Sequence, residues 1–502
     1  EKMIFKAKLF NIDAGKPVII LHKDDALRYE MIALDRVIVK HGRKRAVAFV
    51  DTTENMVKPG EVGLFGDVYK KGKFDAGETV ELLYLRKPKS LQYIRRKLDS
   101  IELLPDEIDE IIRDVMNGNL SDPELAVFIS AVYTRGFNIN ESVALTKSIV
   151  NSGEVIDLGK NKKIVDKHSI GGVTGRTTMV ITPILAACGA YVPKTSSRAI
   201  TSAGGTADAM EVLCDVNFTA QEIKDIVLKT KGCVVWGGGA QLAPADDKLI
   251  KIRHPFSLDP RGMLLASIMA KKKSVGAQYV VIDLPVGRGA KIKDSEEAKE
   301  LAHDFKNISE KIGIKTNVVL TDGTDPVGWG VGPSLETIDV IKVLEGDGPR
   351  DLLDKSCTLS GIILEMCGLA KPGMGYKLSM DTIKNGKAFK KFEEIVHAQG
   401  GAKKLKVDDL PIGKHKVEIY CPMDGRVDYV SNRRVAAIAR AAGAPKMQGS
   451  GVILKCENGD RVKKGQVLFE IYSDSETQLT YALKVAEELH PIELKKVLLE
   501  TI

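Results

Sequence analysis

At 502 residues and 44% apolar content the chain is long enough for three or four domains, each burying its own core. Its 74 basic and 67 acidic residues leave a net charge of +7 spread along the chain. With no dense Lys/Arg tract and interleaved aromatics, that balance suits small anionic substrates and argues against a nucleic-acid partner. Seven scattered cysteines form no C-x-x-C pair and have no metal-ligand spacing to the eight histidines, so neither a disulfide framework nor a structural zinc is expected. The longest apolar run, near Met179 to Val192, contains Thr182, Pro183 and Gly189 and falls short of a membrane span. The opening residues, Glu1-Lys-Met-Ile-Phe-Lys, hold no signal-peptide core. A cytoplasmic protein with no membrane partner is therefore expected.

Taken in order, residues 1–86 predict a β-rich, barrel-like N-terminal domain. Phe5-Lys-Ala-Lys-Leu-Phe10 alternates, Val18 to Leu21 and Val37 to Val39 are apolar runs, and Gly60, Gly63, Gly66 and Gly77 punctuate. Over 87–160 the period becomes 3.6, with Ile94, Leu98, Ile101, Ile108, Ile111, Ile112 and Val115 on one stripe. Asp122-Pro-Glu124 opens another helix. This predicts a helical lobe, to which 250–275 returns. Residues 161–411 alternate strand and helix and predict a mostly parallel α/β domain with ligands at the strands' carboxyl ends. Residues 412–502 predict an α+β domain, so the whole is a multidomain α/β protein. Gly459 to Ile471 resembles the hairpin of biotinyl and lipoyl domains. A carrier lysine needs a hairpin tip such as Ala-Met-Lys-Met, however, and Pro445-Lys-Met-Gln448 has the wrong flanks. A structural cap is the expectation.

Two turns in the α/β segment carry the chemistry. The first gathers Lys167, Ser169, Gly171, Gly172, Thr177 and Thr178 after the apolar Ile164-Val165; the second gathers Ser196, Ser197, Arg198, Thr201, Ser202 and Thr206. Glycines let backbone N–H groups approach a ligand, a helix N-terminus is partly positive, and Ser, Thr, Lys and Arg add donors that suit phosphate. Neither turn has the spacing of a Walker loop or of a G-x-G-x-x-G dinucleotide fingerprint. One such turn could simply cap a helix with its hydroxyls. Two in succession, both with basic residues, favour anions.

The stretch from Ser196-Ser-Arg-Ala-Ile-Thr-Ser202 to Glu211 is similar to the signature of thymidine and pyrimidine-nucleoside phosphorylases, and Lys167-His-Ser-Ile-Gly-Gly172 resembles their phosphate loop. The Ser-Ser-Arg-Ala-Ile-Thr-Ser wording and the extra N-terminal segment are most similar to the archaeal AMP phosphorylase branch. That resemblance implies phosphorolysis of nucleoside 5′-monophosphates, AMP first with CMP and UMP as further candidates, to free base and ribose 1,5-bisphosphate. It implies phosphate contacts by Lys167, Ser169, Gly172, Thr178 and Ser196. Nucleotide contacts fall on Gly171, Ser197, Arg198, Ala199, Ile200, Thr201, Ser202, Thr206, Arg253, Ser267, Lys271 and Lys291. Inorganic phosphate is the co-substrate, with no cofactor and no metal, and a homodimer or larger homo-oligomer is expected.

Asp259 matches the branch's proton donor, a role that requires burial to raise its pKa. Its alternative is a helix N-cap before Pro260. His168 is the rival acid. Arg198 has a second option, an ion pair with Asp208 or Glu211, and Lys291 could equally be solvated. Lys167 and the length of the first loop favour an alternative enzyme, a pyrimidine-nucleoside phosphorylase. A phosphoribosyltransferase of similar two-lobe layout, like anthranilate phosphoribosyltransferase, is a third reading and would need an acid pair for magnesium pyrophosphate.

Overall fold

The computed structural model describes residues 2–85, 87–199, 202–256 and 258–496. Ile200 and Thr201, two of the nucleotide-contact candidates, lie outside them. The chain forms two compact units, Glu1–Ser152 with Pro244–Ser267, and Gly153–Ala243 with Ile268–Ile502.

In the first unit, β1 (Met3–Phe10), β2 (Val18–His22), β3 (Arg36–His41), β4 (Lys44–Thr53), β5 (Glu61–Phe65) and β6 (Thr79–Tyr84) close a barrel in the order β1-β5-β2-β4-β3-β6. The period-2 pattern drives it: Met3, Phe5 and Ala7 point inward with Ile19, Leu21, Val37, Val39, Leu64 and Leu82, while Ile4, Lys6 and Lys8 face out. Closure leaves no unpaired strand edge. The helices Ser90–Leu98, Pro105–Asn117, Asp122–Arg135 and Ile139–Asn151 follow. Asn138 and Glu141 cap the last reciprocally, each side chain accepting the other's N–H at 2.9 and 3.0 Å. The helix Pro244–Arg253 returns to this lobe, where Lys248 Nζ donates to the Val115 and Met116 carbonyls at 3.1 Å.

The second unit is built on five parallel strands: β7 (Val165–Ser169), β8 (Val192–Ser196), β9 (Gly232–Trp236), β10 (Tyr279–Val286) and β11 (Lys315–Asp322). β11, β10 and β7 pair in that order, β8 pairs with β9, and a parallel bridge between Ile164 and Tyr191 joins the two sets. The chain thus winds outward from β7 through β8 and β9, then crosses back to build β10 and β11 on the other side. Doubly wound sheets bind ligands at this switch point, outside the carboxyl ends of the strands. Since β7 and β8 bridge only at their start, the gap beyond is filled by a side chain: Lys194 Nζ donates to the Lys167 carbonyl at 2.7 Å and pairs with Asp166 at 3.2 Å.

The C-terminal segment is woven into the same unit. β12 (Gly330–Val331), β13 (His415–Tyr420), β15 (Gly451–Leu454) and β17 (Val467–Ser473) form one sheet in the order β12-β15-β17-β13. β14 (Gly425–Val430), β16 (Arg461–Val462) and β18 (Ile492–Lys495) form another in the order β16-β14-β18. β12 comes from the α/β segment and pairs with β15. Lys446 follows the helix Asn432–Ala441 in a turn, not at the tip of a hairpin. No described helix is long and apolar enough to cross a membrane.

Candidate active site

β7 is a buried strand that carries ions. Asp166 is fully buried between Lys194 and Lys272, whose Nζ atoms lie 3.2 and 2.7 Å from its two oxygens. Burial opposes its charge, yet the two ammoniums hold the carboxyl below the usual range. The next residue, Lys167, donates Nζ to Thr177 Oγ1 at 2.8 Å, and burial lowers its pKa to about 8, with Asp283 pulling it back up. His168 follows, held well below 6.5 by burial and then by the charges of Lys272, Lys194, Lys167 and Lys271. A ring so placed stays neutral at physiological pH and is ill suited to the role of cationic acid. Ser169 ends the strand beside Asp283 of β10, to which its Oγ donates at 2.5 Å. Thr321 of β11 donates to the other oxygen at 2.5 Å, and Lys355 lies 3.5 Å away.

The loop after β7 is fixed by backbone proximity. Gly172 has φ +105, and a Cβ there would lie 2.6 Å from the Lys291 amide nitrogen. Glycine is therefore required where this loop meets the Ala290-Lys291 turn. Thr174 N–H donates to Asn432 Oδ1 at 3.0 Å and Gly175 N–H to Glu336 Oε1 at 3.1 Å. The helix Thr177–Ala187 then starts without a side-chain cap. Its first amides, with Thr178, form an uncapped positive end at the loop.

The loop after β8 is organised by Asp208, whose Oδ2 accepts the N–H groups of Ala199 and Gly205 at 2.6 and 2.8 Å. Ser197 contributes a carbonyl to the Ala207 N–H at 3.3 Å, and Thr206 opens the short helix Thr206–Glu211. Arg198 takes the ion-pair option: its guanidinium grips Glu211 at 2.5 and 2.7 Å, reaches Asp208 at 3.3 Å and lies 5.2 Å from the Trp236 ring. Ser202 Oγ turns to the Gly204 carbonyl at 3.2 Å. Ser196 Oγ, at the end of β8, is buried with no hydrogen-bond partner among the described residues. A buried hydroxyl in that state is suited to a ligand oxygen.

Arg253, Asp259 and Ser267 belong to the first unit, and Lys271, Lys291 and both loops to the second. Arg253 is buried and donates to Asp259 Oδ1 at 3.1 Å; Ser267 Oγ donates to Asp246 at 2.6 Å. Neither condition attached to Asp259 is met. Its side chain is 42% exposed, and Pro260 accepts the Leu264 N–H, which puts the proline in the N-cap place of the helix Arg261–Ser274. Among the described residues no group of three His, Cys, Asp or Glu side chains is arranged to hold a metal.

Arg176, Lys194, Lys272, Asp283, Glu336, Lys355 and Asn432 are absent from the sequence-based set. Asp283 gives a signal, a carboxylate in the apolar strand Tyr279-Val-Val-Ile-Asp-Leu-Pro285. The others depend on pairings more than 25 residues apart.

The two donor-rich loops at a doubly wound switch point lie in a segment that the family models assign to the glycosyltransferases. The family model "Glycosyl transferase family, a/b domain" matches residues 161–389, and "Glycosyl transferase family, helical bundle domain" matches 91–153. "Pyrimidine nucleoside phosphorylase C-terminal domain" matches 426–493. Anthranilate phosphoribosyltransferase from Thermus thermophilus shares the fold at a TM-score of 0.53 and 17% identity, covering 61% of this chain and 99% of that one.

More specific are the full-length relatives. The chain is 41% identical over 501 residues to the AMP phosphorylase of Pyrococcus furiosus, covering 99% of each protein. It is 42% identical over 502 residues to that of Methanosarcina mazei, covering 100% of this chain and 98% of the relative. The chain belongs to the AMP phosphorylase family.

Proposed function

We propose that the protein cleaves AMP, with CMP and UMP as further substrates, by phosphorolysis to the free base and ribose 1,5-bisphosphate. The observation that carries this reading is the pair of donor-rich loops at the ends of β7 and β8, in a chain that matches AMP phosphorylases along its whole length. Inorganic phosphate would sit against the first loop, near Lys167, Ser169, Gly172, Thr178 and the unpartnered Ser196. The second loop, Ser197 to Thr206, would receive the 5′-phosphate. One phosphate oxygen attacks C1′ as the bond from C1′ to the base breaks; the electron pair leaves with the base, which takes a proton from Asp259. Fixed donors around an anionic nucleophile lower the barrier by orienting it and by stabilising charge without reorganisation. For that step bound substrate would have to shield Asp259 from water and draw it away from Arg253. The base would contact Arg253, Ser267 and Lys271, and Lys291 the nucleotide. Seven free cysteines fit a reducing cytoplasm, and a homo-oligomer is proposed with it.

Phosphorus NMR of the product tests the reaction: ribose 1,5-bisphosphate gives two phosphorus signals of equal area, whereas hydrolysis leaves ribose 5-phosphate and one. A second reading, pyrimidine-nucleoside phosphorolysis, is favoured by Arg198, whose guanidinium is committed to Glu211 and Asp208 and not turned toward a substrate phosphate.

A further inference from the structure

The two loops are tied together by one buried pair of side chains. Glu336, in the first turn of the helix Pro333–Glu345, has a side chain that is 1% exposed. Its Oε1 accepts the Gly175 N–H at 3.1 Å, and its Oε2 accepts Arg176 Nη2 at the same distance. The same Nη2 donates to the Gly204 carbonyl of the second loop at 2.5 Å. Gly204 packs directly on this pair, since a Cβ there would lie 3.3 Å from Glu336 Oε2. One carboxylate therefore holds the backbone of the first loop and, through a planar guanidinium, that of the second. Both acceptors are held by the one nitrogen Nη2, whose two N–H groups are fixed in the guanidinium plane, whereas those of an ammonium rotate on a flexible stem.

We propose that Arg176, held by Glu336, is a positioning residue that sets the separation of the two loops, and through it the selectivity for substrates carrying a 5′-phosphate over those without one. This rests on the reading that the first loop takes the attacking phosphate and the second the 5′-phosphate. Releasing Gly204 displaces the second loop, while the side chain at position 336, carboxylate or amide, keeps an oxygen for the Gly175 N–H of the first. The phosphate-bearing substrate should then suffer, while a nucleoside, which does not use that subsite, should not.

The test is steady-state kinetics with AMP and with adenosine, each against inorganic phosphate, on the full-length wild type, Arg176→Lys, Arg176→Gln and the double variant Arg176→Gln with Glu336→Gln. The double variant leaves no unpaired charge in the interior and so guards against a failure to fold. Relative to wild type, kcat/KM for AMP should fall roughly 10-fold to 100-fold in all three, the scale of a misplacement near 1 Å. Adenosine turnover and the KM for phosphate should stay within about 3-fold, so the AMP-to-adenosine ratio drops by at least about 3-fold. Arg176→Lys should not restore the ratio, because it returns charge without the reach and the fixed in-plane N–H pair of Nη2. Four outcomes overturn the positioning role: a ratio unchanged in folded variants, a parallel fall for both substrates, restoration by lysine, or a rise confined to the KM for phosphate. A wild type that takes both substrates alike overturns the functional reading first, and this inference with it.

Discussion

The two candidates for the acid, Asp259 and His168, differ in their surroundings. The aspartate is half-exposed beside Arg253, and the imidazole is packed among four lysine charges. Replacing Asp259 with Asn should lower kcat by about 10² to 10⁴, the usual contribution of a general acid, with the KM for AMP within a few-fold. Steady-state kinetics checks this, and a raised KM with normal kcat would reassign the residue to substrate positioning. Because the His168 value lies well below 6.5, the pH–rate profile should show no limb at that pH that disappears in His168→Gln. Lys167 gives a limb of the opposite kind. A lysine is cationic below its pKa, so with a value of about 8 the free enzyme loses this charge as pH rises through 8. The kcat/KM for phosphate should therefore decline above about pH 8 in the wild type, and Lys167→Met should abolish that limb.

At the scale of elements, the helix Asn432–Ala441 shows what a structural cap can do. Asn432 Oδ1 accepts the Thr174 N–H of the first loop at 3.0 Å, and Arg440 Nη1 donates to the Ser202 carbonyl of the second at 2.9 Å. Asn432→Ala should raise the KM for phosphate several-fold and lower stability by about 1–3 kcal/mol, since it leaves the Thr174 N–H without its acceptor. Much of this scale is legible in the sequence. Alternation over Phe5 to Phe10 signals a barrel strand, and the short apolar runs ahead of the two donor-rich turns mark the strands β7 and β8. The N-cap alternative for Asp259 misleads because Asp-Pro signals a helix start without saying which of the two occupies the cap. Braces such as Glu336 on Gly175 or Asn432 on Thr174 join residues 161 and 258 apart. No local pattern encodes them, and β12, two residues long, is likewise a strand only because β15 lies beside it.

For the molecule as a whole, stability and site share the same buried ions. Asp166 neutralises Lys194 and Lys272 at the gap between β7 and β8, where strand pairing has ended. Asp166→Asn should destabilise the protein by about 3–5 kcal/mol, the cost of leaving buried charge uncompensated, as measured by urea unfolding. The sign with pH follows from a carboxyl held below its ordinary 3.8: its contribution is complete at neutral pH and fades only as pH falls through the depressed folded-state value.

If two anion subsites face each other across a sugar, as proposed, the substrate is a nucleotide. The direct measurement is the initial rate of adenine release from AMP and from adenosine, with and without inorganic phosphate. Release should require phosphate, with a kcat/KM for AMP well above that for adenosine. Equal or faster use of adenosine, or release that proceeds without phosphate, would contradict the proposal.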